Sequence, residues 1–134
     1  MAQSAYQTLR KQMFAPIAWA EYSPITRQIL LNDKRVLARL NFNGQNDLVC
    51  SYLFENPYRI ITLDEIKANA TREPLRKTLH EFVRAFGFSG TLRQLFFDVS
   101  KRHIYLRKEI LETDIPPHYA WTLQNPTLKF EEIF

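Results

Sequence analysis

Apolar positions recur along this chain with two different periods, and the switches between them mark its elements. Tyr6, Leu9 and Met13 fall at i, i+3 and i+7, which predicts a short amphipathic helix over residues 4–13 that Pro16 keeps from extending. After Ile17–Tyr22 and Pro24 the period becomes two. The runs 26–31 and 34–42 flank Asn32-Asp33, the pattern of a β-hairpin. Val36, Ala38, Leu40 and Phe42 are then expected on one face of the second strand, and Arg35, Arg39 and Asn41 on the other.

Helical spacing returns after the Asn43–Asn46 loop. Leu48, Val49, Tyr52 and Leu53 form a core-facing stripe, with Asn46 or Asp47 expected as the cap. Asn56-Pro57-Tyr58-Arg59 ends this helix, and Ile60-Ile61 is a short extended stretch. Thr62 and Glu65 read as a capping box opening a second helix over residues 63–69, which buries Leu63, Ile66 and Ala70. A third helix is predicted from a Thr71 cap, with Pro74 in its first turn and Gly87 as its stop. Its apolar stripe is Leu75, Leu79, Phe82, Val83 and Phe86; Arg76, Lys77, His80 and Arg84 project on the far side, diluted by Glu73 and Glu81. Beyond Ser89-Gly90, residues 92–99 and 104–110 read as strands joined by the basic turn Ser100–His103. Residues 112–134, with Pro116-Pro117, Tyr119, Trp121, Phe130 and Phe134, read as an irregular tail that packs its aromatics on the body or binds a partner.

Charge sharpens this picture. The 134 residues carry a net +4, but residues 72–108 alone hold nine basic against three acidic side chains, and residues 109–134 hold one against five. A local basic block of this kind points to a polyanionic partner or to a solvated face. A hydrophobic fraction of 46% supports one real core, so a disordered chain is excluded. No apolar run is long enough to span a bilayer and no secretory leader is visible, so no membrane partner is expected. The single Cys50 forms no internal disulfide, which makes a reducing, cytoplasmic setting the expectation.

The element order is small sheet, helix, short strand, helix, helix, basic hairpin. That is the order of a winged helix-turn-helix, in which two helices brace a third whose outer face lies in a major groove. The expected fold is therefore α+β: three main helices, an N-terminal antiparallel hairpin or small sheet, and a C-terminal β-hairpin wing. Residues 17–111 form this domain, between an extension at 1–16 and the acidic, aromatic tail at 112–134. The stretch Leu53–Ile66, Leu-Phe-Glu-Asn-Pro-Tyr-Arg-Ile-Ile-Thr-Leu-Asp-Glu-Ile, resembles the helix end, Asn-Pro-Gly-Arg turn, short strand and capped second helix of the winged-helix output domain of two-component response regulators. The resemblance implies that Leu75–Leu79 and the closing hairpin occupy the recognition-helix and wing positions. Tyr58 stands where that family usually has Gly, and Ile104-Tyr105-Leu106 where it has a Gly-Tyr signature. The length leaves no room for a phosphoacceptor domain, so regulation by aspartyl phosphorylation in cis is not expected.

On this reading Arg72, Arg76, Lys77, His80 and Arg84 face duplex DNA from the helix, and Lys101, Arg102, His103 and Arg107 from the wing. The protein is expected to regulate transcription, without catalysis, metal or cofactor. His80, His103 and His118 are too scattered to be metal ligands, and Cys50 reads as a packed thiol. Asp64-Glu65 is explained by helix capping. Phe96-Phe97 beside basic residues reads as core packing, with at most one ring exposed, rather than as base stacking. The rival expectation is an interaction module on the same scaffold, pairing with a protein or with itself through the tail.

Overall fold

The computed structural model describes residues 16–114, which form an α+β fold with antiparallel sheets. Strands β1 (Ala18–Tyr22), β2 (Gln28–Leu31) and β3 (Arg35–Arg39) make a meander. Helix α1 (Gln45–Glu55), strand β4 (Ile61–Thr62) and helices α2 (Leu63–Asn69), α3 (Leu79–Ala85) and α4 (Gly90–Phe96) follow. The described part closes with β5 (Phe97–Val99), β6 (His103–Leu106), β7 (Glu109–Ile110) and a 3-10 turn at Glu112–Asp114. One sheet has the order β3-β2-β1-β7 and the other β4-β6-β5. The helix expected over 4–13 and the tail beyond Asp114 lie outside the described residues.

The β2–β3 turn forms because Asn32 and Asp33 accept the left-handed region, at φ of 55° and 60°, while the Lys34 N–H donates to the Leu31 carbonyl at 3.1 Å. Two such residues in succession give the type I′ geometry whose twist matches the flanking strands. The expected alternation along β3 fails. A register shift between Ile29 and Leu30 pairs Ile29 with Ala38 and Leu30 with Val36, which leaves Leu37 as an extra residue. Val36 is consequently 47% exposed, whereas Leu37 turns partly inward; Phe42, beyond the end of the strand, is 69% exposed.

Helix α1 is capped by Gly44, not by Asn46 or Asp47. Asp47 instead sits in the first turn, 2% exposed, where its carboxylate gathers four neighbours, the Ser51 hydroxyl at 3.4 Å being the most distant. The Tyr22 hydroxyl donates at 2.5 Å, the Asn43 N–H at 2.9 Å and the Arg27 guanidinium at 3.2 Å. Burial first, and then the bond to Asp47, hold the Tyr22 phenol's proton well above its usual range. Val49, Cys50, Leu53 and Phe54 carry the buried face; Leu48 and Tyr52 are only half-buried. The fully buried Cys50 thiol is pushed up by desolvation, with Asp47 adding to it.

Two further corrections concern the second half. The third helix starts at Leu79, because Thr78 and Glu81 form a reciprocal capping box and residues 71–78 are a loop. Residues 90–96 are helix α4 rather than strand, with Leu92, Leu95 and Phe96 inward at i, i+3 and i+4. Phe96 ends that helix and Phe97 begins β5, so strand alternation does not apply and both rings are buried. Phe88 packs between them, 5.5 Å from Phe96 and 4.9 Å edge-on from Phe97. The single strand expected over 104–110 is split: β6 pairs with β4 and β5, whereas β7 crosses to β1 in the other sheet.

Candidate nucleic-acid interface

Two local devices position the start of α2. Thr62 caps it by accepting the Glu65 N–H at 3.1 Å, as expected, but the Glu65 side chain does not reach back. Its carboxylate instead accepts two bonds from Arg59, at 3.0 and 2.6 Å, and one from the Tyr52 hydroxyl at 2.5 Å. The turn between α1 and α2 is thereby tied at both ends. Tyr58 occupies the left-handed region there at φ 59°. Its phenol, pushed up to about 12 chiefly by burial, accepts the Glu109 N–H at 2.8 Å and offsets the strained backbone.

Arg59, and then Tyr52, hold the Glu65 carboxyl below the usual carboxylate range. A depressed folded-state value stabilises the fold above that range and is lost as the pH falls through it. Glu65→Gln should therefore lower stability by about 1 kcal/mol at pH 7 and by progressively less below about pH 4. Urea midpoints at both pH values check this; a deficit that grows in acid contradicts it.

The β5–β6 hairpin is buttoned to α2. Ile61 and Thr62 pair with Ile104 and His103, and the Leu63 N–H donates to the Arg102 carbonyl at 2.7 Å. At the hairpin tip the Ser100 hydroxyl accepts the N–H groups of Arg102 and His103 at 3.3 and 3.2 Å and lies 2.9 Å from His103 Nδ1. This turn leaves Lys101, Arg102 and His103 exposed. Gln45 sets the approach from the other side. Its side-chain amide donates to the Pro74 carbonyl at 2.8 Å and accepts the Arg76 N–H at 2.9 Å, clasping the loop before α3.

These constraints bring basic side chains from three separate segments into one groove. Lys67 of α2, Lys77 and His80 at the start of α3, and Lys101 of the hairpin line it over a floor of Leu63, Leu75 and Leu79. An adjoining hollow shares Lys67 and Lys101 and adds Arg102. Asp64 is the one carboxylate among the residues lining either depression. The Lys77 ammonium also lies 5.8 Å over the Phe82 ring.

The remaining expected contacts are placed differently. Arg76 and Lys77 precede α3 and do not lie on its outer face. Arg76 is 3.6 Å from Glu73, an exposed pair of little energetic weight. Arg72 lines a different hollow, between α1 and the end of α2. His80 and Arg84 do share an exposed face of α3, one turn apart, with the capping carboxylate of Glu81 beside them. Arg107 is ion-paired with Asp98 and stacked 5.1 Å from the Tyr105 ring, so it is already engaged. Lys67 was missed from sequence; its signal was the polar face of α2, but only the β4–β6 pairing turns that face toward the hairpin tip.

Among the described residues, no helix is long and apolar enough to cross a membrane, and no cluster of three or more His, Cys, Asp or Glu could hold a metal ion. No protein-family model matches the chain, and no curated protein or solved structure is significantly similar to it.

Proposed function

We propose that this chain is a winged-helix protein that binds duplex DNA and serves as a transcriptional regulator or accessory factor. The observation that carries the reading is the convergence of Lys67, Lys77, His80 and Lys101 on one groove, with Arg102 adjoining it. The sheet order β4-β6-β5 and the order α1-β4-α2-α3 support the same reading, with β5–β6 as the wing and α4 as an added helix before it. Lys67, Lys101 and Arg102 contact phosphates, which supply affinity without sequence information. On this reading Lys77, just before α3, and His80, in its first turn, reach base edges, with Arg84 one turn further along.

Titrating a labelled random-sequence duplex by fluorescence anisotropy at several salt concentrations tests this. Binding should weaken steeply with salt. Lys101→Ala should weaken all duplexes alike and lower the logarithmic salt slope by about one unit. Arg107→Ala, whose guanidinium Asp98 holds, should leave the slope unchanged. Binding that is undetectable or indifferent to salt refutes the reading.

A second reading, a protein-interaction module without catalysis, has one observation in its favour. Ile25, 90% exposed in the β1–β2 turn, and Phe42, 69% exposed with the Arg27 guanidinium 4.7 Å above its ring, offer apolar surface beside the first sheet. Light scattering that gives an oligomer abolished by Phe42→Ser supports it; a monomer in both cases removes it.

A further inference from the structure

We propose that the groove between α2, the start of α3 and the hairpin tip is also the docking site for this chain's own segment Phe130-Glu131-Glu132-Ile133-Phe134. Docking itself does not depend on the DNA-binding reading; its consequence, competition with DNA for one surface, does.

The groove combines two chemistries that a phosphate backbone does not satisfy together. Lys67, Lys77 and Lys101 form its rim, while Leu63, Leu75 and Leu79 form its floor. Phosphates would neutralise the rim and leave the half-buried Leu63 and Leu75 facing water. An occupant that satisfies both needs carboxylates and large apolar side chains within a few residues of each other. Two segments lie outside the described residues. Residues 1–15 contain Arg10 and Lys11 and no carboxylate, so the rim repels them. Residues 115–134 contain two carboxylates, Glu131 and Glu132, flanked by Phe130, Ile133 and Phe134.

Reach does not limit the contact. The sixteen residues that follow Asp114, ending at Phe130, can extend up to about 50 Å, more than the diameter of a domain of this size. Tethering places the segment at an effective concentration on the order of millimolar, so weak contacts are enough to populate the docked state. Exposed ion pairs are individually weak and screened by salt, so a duplex carrying many charges displaces the segment readily.

The test uses the full-length chain with a nitroxide attached at Thr127→Cys. Cys50 is fully buried and escapes labelling. Amide signals of Lys67, Lys77, His80 and Lys101 should broaden selectively. Glu131→Lys with Glu132→Lys should abolish the broadening, and adding Lys77→Glu with Lys101→Glu should restore it. Absence of broadening at the groove, or broadening insensitive to the charge reversal, overturns the proposal. Added duplex should relieve the broadening, and Glu131→Gln with Glu132→Gln should tighten duplex binding about fivefold at low salt. Charge-reversible broadening with no duplex binding would uphold docking and sink the DNA reading. Duplex binding that is equal in both proteins, without broadening, would do the reverse.

Discussion

Replacing Asp47 with alanine should lower stability by about 2–4 kcal/mol, the largest effect expected of any single surface-charge or core-polar change in this fold. The carboxylate is almost fully buried and receives the Tyr22 hydroxyl, the Asn43 N–H and the Arg27 guanidinium. Removing it strands the hydroxyl of the half-buried Tyr22 and the Asn43 backbone donor, and deprives Arg27 of its counter-charge. Arg27 retains 24% side-chain exposure, so hydration recovers part of that loss and keeps the figure below that of a fully buried pair. Asp47 also sits in the first turn of α1, where a negative charge is favoured by the helix dipole. In urea titrations the midpoint should fall while the slope stays constant. Asp47→Asn retains an acceptor for Tyr22 and should lose about half as much. An alanine variant within about 0.5 kcal/mol of the parent would show that the cluster is not a stabilising node.

Gly87→Ala should be nearly as damaging, at about 2–4 kcal/mol, for a steric reason. Gly87 ends α3 at φ 89°, and a Cβ there would lie 2.4 Å from the Leu37 carbonyl oxygen and 2.8 Å from its carbon. Both obstacles are backbone, so neither can rotate away; β3 would have to move off the α3–α4 turn. Gly90 is the control. Its φ is 55°, but nothing lies within 4 Å of its added Cβ, so Gly90→Ala should cost only the left-handed penalty, about 1 kcal/mol. Thermal unfolding of both variants separates the clash from the backbone strain. Equal losses would place the whole effect in backbone conformation.

Gly87 also shows what the sequence could and could not reveal. As a helix stop it was legible, because the rule is local. The same holds for the Asn32-Asp33 turn and for α2, whose Thr62 cap marks its start. The start of α3 was not legible as read. Thr71 with Pro74 and Thr78 with Glu81 both satisfy a start signal, and the reciprocal capping box prevails because it satisfies two backbone groups at once. Helix α4 was hidden by Phe and Thr, which also favour strands; the spacing of Leu92, Leu95 and Phe96 is its helical cue. Cations on the hairpin tip and near residue 77 were visible as a basic block. Their meeting with Lys67 depends on β4 pairing with β6, more than forty residues away, and no local pattern encodes that register.

The pairing of β1 with β7 has an effect on everything attached to the fold. Ala18 lies opposite Ile110, and the Ile17 N–H donates to the Ile110 carbonyl at 2.8 Å. Because the two strands are antiparallel, the chain enters before Ile17 and leaves after Ile110 on the same side of the sheet. Whatever precedes Ile17 thus departs from the fold beside whatever follows Ile110, although the whole domain separates the two points along the chain.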